Sequence, residues 1–323
     1  MAEERIDFRP KTIDSFFGQE NIKEQLKVYM FGSKKVGKPL SHILLCGPSG
    51  MGKTTLGHII ANEMNTNIKT INAPMITTNQ ELIEIIASIR EGEILFIDEI
   101  HRLDKKIEEV LYSVLEDFKM TIPYKSDEQI KVVQIDVPKF TLIGATTLEG
   151  LISIPLRDRF QLNFHFKEYS EIELSKLLHT NTEKVNLKFE SFETSQFFIQ
   201  RCKGNPRILN NLLLKLTDYA TYYDRQTITL EFLHKFFKFI KIDDYGLDEF
   251  DKAIIKVMYE NFPSQPVSLD SIASLINENP VNLKENYEPY LVRAGMIRRT
   301  RSGRLLTDRG KLFYRNNIHS LEK

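Results

Sequence analysis

The chain has 323 residues with 41% apolar content, enough for two or three domains with ordinary cores. Its 44 Lys and Arg residues match 44 Asp and Glu, which excludes a uniformly basic nucleic-acid coat and leaves only a local basic patch to be found by position. Two distant cysteines (Cys46 and Cys202), a charged start without an apolar signal core, and only short apolar runs exclude a disulfide scaffold and a membrane span, so a reducing, cytoplasmic setting is expected.

In chain order, residues 1–18 are mixed polar, and Arg9-Pro10 disfavours helix just before the proline. The pattern predicts a helix over 20–31, then a loop at Gly32-Ser33 and Gly37-Lys38-Pro39. A short apolar strand over 42–46 enters a glycine-rich turn, and a helix runs from Lys53 to Met64. A second strand covers 93–97. Residues 104–118 carry Ile107, Leu111, Val114, Leu115 and Phe118 at helical spacing. Two alternating runs within 119–137, split by Ser126-Asp127-Glu128, predict a projecting β-hairpin. A third strand covers 140–144. Short apolar strands alternating with helices predict an α/β domain whose parallel sheet is covered on both faces.

From 170 to 240 the chain reads as all-helical, with Gly204-Asn205-Pro206 opening a long helix. Helical patterns at 248–261, 268–277 and 280–294 precede a strand at Met296–Thr300, a turn at Arg301-Ser302-Gly303 and a strand at Arg304–Thr307. Three helices followed by a basic two-stranded turn predict a winged helix. The expected domains are 1–167, 168–242 and 243–323, with the hairpin at about 119–138 inside the first.

Gly47-Pro48-Ser49-Gly50-Met51-Gly52-Lys53-Thr54 fits the phosphate-binding loop G-x-x-x-x-G-K-[ST]. Gly47, Gly50 and Gly52 let the backbone wrap concentrated negative charge with its N–H groups, and the helix that follows adds its positive end. Lys53 brings a cation to the β- and γ-phosphates of ATP, Thr54 a hydroxyl for Mg2+, and Thr55 continues the nucleotide-facing turn. Asp98 and Glu99 end the second strand, where Asp98 can hold Mg2+ and Glu99 can polarise the attacking water.

With these elements in hand, the chain resembles the AAA+ ATPases, and within them the RuvB family of Holliday-junction branch-migration motors. The resemblance runs through Asp98-Glu99-Ile100-His101-Arg102-Leu103 and Gly144-Ala145-Thr146-Thr147. It continues through Pro155-Leu156-Arg157-Asp158-Arg159-Phe160, Gly204-Asn205-Pro206-Arg207 and Arg299 to Arg304. It implies a sensor at Thr146 or Thr147, with Thr147 the preferred of the two, an arginine finger at Arg159 acting on a neighbouring subunit's nucleotide, and Arg157 close to nucleotide. It also implies a second sensor at Arg207 on a small helical lid domain, and Phe8, Arg9 and Tyr169 bordering the nucleotide. By itself Arg157-Asp158-Arg159 reads more readily as a surface ion pair with Asp158, and only the surrounding motifs favour the finger. The hairpin sits where the family meets its partner RuvA, with Ile122 and Ile130 as candidate contacts. The sequence departs from the family pattern at Ser49, Met51, Gln161 and the Arg301-Ser302-Gly303 turn.

Between Arg293 and Arg315 eight basic residues face one acidic residue, Asp308. Arginine–phosphate contacts are independent of base sequence, as a motor on arbitrary DNA requires. Arg299, Arg301 and Arg304 are the candidate DNA contacts. The reading is therefore an ATPase, expected as a hexameric ring, that drives branch migration on duplex DNA at four-way junctions with a RuvA-like partner. Two alternatives share the motifs: a clamp-loader-type AAA+ protein and a nucleotide-switched winged-helix regulator.

Overall fold

The structure is a computed structural model that describes residues 7–126 and 129–317, with only the backbone described over 123–126 and 129–131. It divides into two compact units, Asp7–Glu168 and the chain from Tyr169 onward. No helix among the described residues is long and apolar enough to cross a membrane.

In the first unit α1 (Glu20–Val36) runs through Gly32-Ser33, where a loop was expected. Its stop is Gly37, whose left-handed backbone (φ 68°) turns its N–H back to the Lys34 and Ser33 carbonyls. There follow β1 (Ile43–Cys46), α2 (Lys53–Met64), β2 (Ile68–Asn72), α3 (Asn79–Ala87) and β3 (Ile94–Asp98). Next come α4 (Lys105–Asp117), β4 (Lys119–Ser126), β5 (Gln129–Asp136), β6 (Thr141–Thr146), α5 (Ile154–Asp158) and β7 (Leu162–His165).

Five strands form one parallel sheet in the order β2-β3-β6-β1-β7. The strands β2 and β7 were not predicted. The three inner strands are buried on both faces, as parallel strands under helices must be. One face carries an apolar cluster that includes Leu44, Leu95, Ile97 and Leu142 of the sheet and Leu82, Ile107 and Leu111 of α3 and α4. On the other, α2 approaches so closely that a Cβ at Gly57 would stand 2.5 Å from the Phe96 ring. Buried His42 stitches the sheet to α4: its Nδ1 accepts from Leu142 N–H at 2.9 Å, leaving Nε2 to donate to the Leu115 carbonyl at 3.2 Å. The right-handed parallel wind brings the C-terminal ends of β3, β6, β1 and β7 to one edge, which is where ligands bind in sheets of this kind.

β4 and β5 pair as the expected antiparallel hairpin. Ile122 does not offer itself outward: it is half-buried against the unit's own core, while Val132, Val133 and Ile135 are the exposed apolar residues. The side chain of Ile130 lies outside the described residues.

The second unit begins with α6 (Glu171–Lys184), β8 (Lys188–Phe189), α7 (Phe192–Ile199), α8 (Pro206–Tyr222), β9 (Thr227–Ile228) and α9 (Leu230–Phe239). The two short strands pair in parallel, a small departure from the all-helical expectation. Then come α10 (Glu249–Asn261), α11 (Leu269–Leu275), α12 (Pro280–Asn282), a π-turn (Leu283–Tyr287) and α13 (Glu288–Arg293). The wing strands β10 (Ile297–Thr300) and β11 (Gly303–Leu306) follow, and α14 (Asp308–Asn317) closes the described chain. Val267 adds a third strand position by bridging Arg304. Gly303 (φ 141°) is required there, because a Cβ would run into the Val267 carbonyl. The four helices α6–α9 and the winged helix are joined by two cations: buried Arg201 pairs with Asp244 and stacks on Phe197, and half-buried Lys203 pairs with fully buried Asp251.

Candidate nucleotide site and DNA-facing wing

The loop between β1 and α2 carries three glycines at positive φ: Gly47 (142°), Gly50 (82°) and Gly52 (96°). Side chains are strained at such angles, and at Gly47 a Cβ would also meet the Phe166 carbonyl oxygen at 2.7 Å. Gly47 N–H donates to Thr146 O at 3.1 Å and Phe166 N–H to Cys46 O at 2.7 Å, so both flanking strands hold the loop. Lys53 opens α2, is 6% exposed, and donates to the carbonyls of Gly47 (2.6 Å) and Pro48 (2.9 Å). Its ammonium is thereby kept over the mouth of the loop. Thr55 is half-buried one position further along the same helix.

Facing this loop, Thr54 Oγ1 donates to Asp98 Oδ2 at 3.2 Å. A hydroxyl and a carboxylate side by side at the strand edge are the hard oxygen donors that suit Mg2+. Asp98 also accepts from Glu99 N–H at 3.0 Å. Glu99 has φ 50°, an unusual angle for a side-chain-bearing residue, which turns its carboxylate out of the strand direction. Thr147 Oγ1 donates to Glu99 Oε2 at 3.3 Å. Thr146, one residue earlier, is fully buried and engaged elsewhere: its hydroxyl meets His101 Nδ1 at 2.9 Å and accepts from Leu148 N–H at 2.9 Å. The geometry thus separates the two threonines, with Thr147 on the carboxylate and Thr146 in the packing beneath it.

Arg159 caps α5 and pairs with Glu116 of α4 at 2.6 Å, not with the adjacent Asp158. Arg157, two residues earlier in α5, is half-buried. Phe8 is buried and Arg9 exposed, in a segment held along α2 by Ile13 N–H to Glu63 (3.1 Å) and Asn62 to the Lys11 carbonyl (3.1 Å). In the second unit Tyr169 is buried, its N–H donating to Gly204 O at 3.1 Å. Arg207 lies exposed in the first turn of α8, where the Asn205 side chain caps the helix. A cation at the positive end of a helix is unfavourable unless it has an anion to meet.

On the wing, Arg298 and Arg301 are exposed and without a side-chain partner among the described residues. Arg304 and Arg299 both converge on Glu288 of α13, at 2.8 and 2.9 Å, and Glu288 is 2% exposed. Burial pushes the Glu288 carboxyl up, but hydrogen bonds from Arg304 and Arg299 outweigh it and hold the group below its ordinary range. Arg293 is also spent internally, on the Lys203 carbonyl at 2.6 Å. The basic run is therefore partly a structural network and only partly an open charge.

Three family models match the chain in succession: the Holliday junction DNA helicase RuvB P-loop domain over residues 8–166, the RuvB AAA lid domain over 169–243, and the RuvB C-terminal winged helix domain over 244–315. The Holliday junction branch migration complex subunit RuvB of Kosmotoga olearia is 40% identical over 309 residues, which cover 95% of this chain and 90% of that protein. The chain belongs to the RuvB family. The corresponding Thermotoga maritima subunit is 39% identical over 301 residues, 93% of this chain and 90% of its own length. The solved Thermotoga maritima RuvB Holliday junction branch migration motor matches with a TM-score of 0.87 and 37% identity, over 96% of this chain and 99% of that one.

Within this RuvB-family frame, three residues that sequence reasoning did not single out carry part of the site. His101 is buried between Thr146 and Glu99 (3.3 Å to Oε2), and a proton on Nδ1 serves both contacts. Glu116 holds Arg159, and Glu288 holds two wing arginines. Glu116 and Glu288 lie on different elements from the arginines they hold, and His101 meets Thr146 across 45 residues of sequence, so spacing alone does not assign these roles. Gln161, a departure from the family pattern, has a visible use: its Oε1 accepts His42 N–H at 3.0 Å at the entrance of β1. Met51, another, is buried at 2% exposure.

Proposed function

We propose that this chain is an ATP-hydrolysing motor that drives Holliday-junction branch migration in a hexameric ring with a RuvA-like partner. The observation that carries the reading is the pair Thr54–Asp98 and Glu99–Thr147 set around a glycine loop with Lys53 over its mouth. In the reading, the backbone N–H groups of Gly47 to Thr54 bind the phosphates and Lys53 neutralises the β- and γ-oxygens. Mg2+, when bound by Thr54 and Asp98 with the nucleotide, supplies charge neutralisation of the transferring phosphoryl group. Glu99 takes the proton of the attacking water, held in place by Thr147 and His101. Phe8, Arg9, Arg157, Tyr169 and Arg207 border the nucleotide.

Arg159 acts on the neighbouring subunit's nucleotide, exchanging Glu116 for the phosphoryl oxygens. Arg301 meets DNA phosphates, with Arg299 and Arg304 shared between DNA and Glu288. The domains divide at 1–167, 168–242 and 243–323, and the hairpin at about 119–138 receives the partner through Val132, Val133 and Ile135. Two buried reduced cysteines favour a cytoplasmic setting. A clamp loader lacks a reason for the winged helix, and an operator-specific regulator lacks one for a cross-subunit arginine.

The test is ATP-dependent dissociation of a synthetic four-way junction, with and without the partner. Lys53→Ala and Arg159→Ala are each expected to be inactive, and a missing cross-subunit arginine typically costs about 10³-fold or more in turnover. Mixing the two variants restores part of the ATPase rate, because an intact Arg159 from one subunit then faces an intact Lys53 site in the next. No recovery on mixing, with both variants still assembling, overturns the cross-subunit role. Full ATPase activity in dilute monomeric Arg159→Ala does the same.

A further inference from the structure

Beside the nucleotide network, three ligand-capable side chains converge at the C-terminal edge of the sheet. Cys46 ends β1 and His165 ends β7 directly next to it in register. Glu149 lies in the turn after β6, the neighbour of β1 on its other side. One donor atom from each, the Cys46 sulfur, a Glu149 oxygen and a His165 ring nitrogen, lies within 4.8 Å of the other two. The set opens outward: Cys46 is 3% exposed, Glu149 half-buried and His165 exposed. Strand pairing fixes the backbone of Cys46 and His165, so the convergence belongs to the sheet rather than to loose loops.

We propose that Cys46, Glu149 and His165 form a site for a thiophilic divalent cation, zinc by preference, with a fourth position open to solvent. One sulfur, one imidazole nitrogen and one carboxylate oxygen are a donor set for zinc, whereas Mg2+ and Ca2+ take oxygens alone. In a tetrahedral zinc site the ligand atoms stand about 3.3–3.8 Å apart; His165 Nδ1 and Glu149 Oε2 are already 3.5 Å apart, and no pair has more than roughly 1 Å to close. The exposed His165 and half-buried Glu149 have that freedom, and buried Cys46 can stay where it is.

Burial first, and the Glu149 carboxylate second, push the Cys46 thiol up to about 12, with Lys53 and Arg157 acting in the opposite sense. The thiol therefore keeps its proton until a cation displaces it; the proton leaves to solvent and the thiolate becomes the ligand. The all-oxygen pair Thr54–Asp98 is a separate site of different chemistry. A bound cation would tie Cys46, which adjoins Gly47, to Glu149, two residues beyond Thr147, and so brace the phosphate loop against the sensor turn.

The test is titration of the full-length, nucleotide-free protein with cobalt(II) in excess Mg2+, which occupies oxygen sites. The expected result is one equivalent of cobalt with a thiolate-to-cobalt charge-transfer band in the near ultraviolet and the visible bands of four-coordination, all abolished by zinc. Cys46→Ser removes the charge-transfer band, and Cys202→Ser, at the only other cysteine, leaves it intact. His165→Ala, at an exposed position that the fold does not need, weakens binding by roughly tenfold or more. Cobalt bound without a thiolate band, a band that survives Cys46→Ser, or unchanged affinity in His165→Ala overturns the proposal. No cobalt binding at all, which is what a simple thiol–carboxylate–imidazole hydrogen-bonded cluster predicts, overturns it as well.

Discussion

Arg301 separates DNA contact from structural charge on the wing. It stands exposed in the turn between β10 and β11, whose shape rests on Gly303 and on the Thr300 hydroxyl donating to the Gly303 carbonyl at 2.9 Å. Arg301→Ala removes a cation without touching either support. A single phosphate contact contributes about 0.9 to the slope of log affinity against log salt, so between 50 and 200 mM the loss of one contact changes the salt sensitivity by about 3.5-fold. The variant is weaker at low salt and converges on the parent at high salt. Counting Arg299 and Arg304 as two further contacts overstates the open charge, because they share one carboxylate and the trio carries a net +1, two arginines less Glu288. Removing both would also strand a buried carboxylate, a change that costs about 3–5 kcal/mol in buried pairs and confounds any loss of binding. Glu288→Gln works in the other direction: it releases Arg299, whose side chain is 58% exposed, and steepens the slope by up to about 0.9. Fluorescence anisotropy with a labelled four-way junction over a salt series reads all of this. Parallel lines for the parent and Arg301→Ala refute the wing as a phosphate-contacting element.

Glu99→Gln keeps a hydrogen-bonding side chain for Thr147 and His101 but cannot take a proton, so nucleotide binding survives and turnover falls by about 10²–10⁴; single-turnover kinetics at unchanged rate would refute the assignment. Thr147→Val slows hydrolysis at near-constant stability, while Thr146→Val leaves the half-buried Leu148 N–H without its acceptor and lowers stability by about 1 kcal/mol; denaturant melts and turnover of the two variants should separate in opposite ways. Burial lifts the Asp251 carboxyl to about 6 despite the nearby Lys203. The folded state then binds this proton more tightly than the unfolded chain, so this group's contribution is complete below about pH 4 and declines by about 3 kcal/mol as pH rises through 6. Melting curves of Asp251→Asn should lack that decline, and equal pH slopes in both proteins would exclude it.

Much of the fold was legible because its elements announce themselves locally. α2 begins at Lys53 because three glycines end there, and β3 ends at Asp98 because an apolar run meets two carboxylates. The two missed strands lack that contrast. In β2, Ile-Lys-Thr-Ile-Asn is half-exposed at the sheet edge, and in β7, Leu-Asn-Phe-His alternates because only one face is covered. A search for short buried runs passes over both. The Gly32-Ser33 pair read as a break, yet a single glycine on an open helix face costs only about 1 kcal/mol, which α1 absorbs.

The candidate site residues could be named from the sequence and the side chains that support them could not, and the reason is register. β3 and β6 are neighbours with Ile97 opposite Gly144, so the residues just past the paired region, Glu99 and His101 on one side and Thr146 and Thr147 on the other, must meet. That meeting makes one connected unit of the carboxylate, the imidazole and both hydroxyls, continuing through Leu148 N–H into the turn that holds Glu149. A displacement of Glu99 by a phosphate or its water therefore cannot stay local: Thr147 and His101 lose their geometry together, and buried Thr146 passes the strain to the following turn. The carboxylate at Glu99 is thus mechanically attached to the end of the neighbouring strand, by side chains that lie side by side at the sheet edge but more than forty residues apart in sequence.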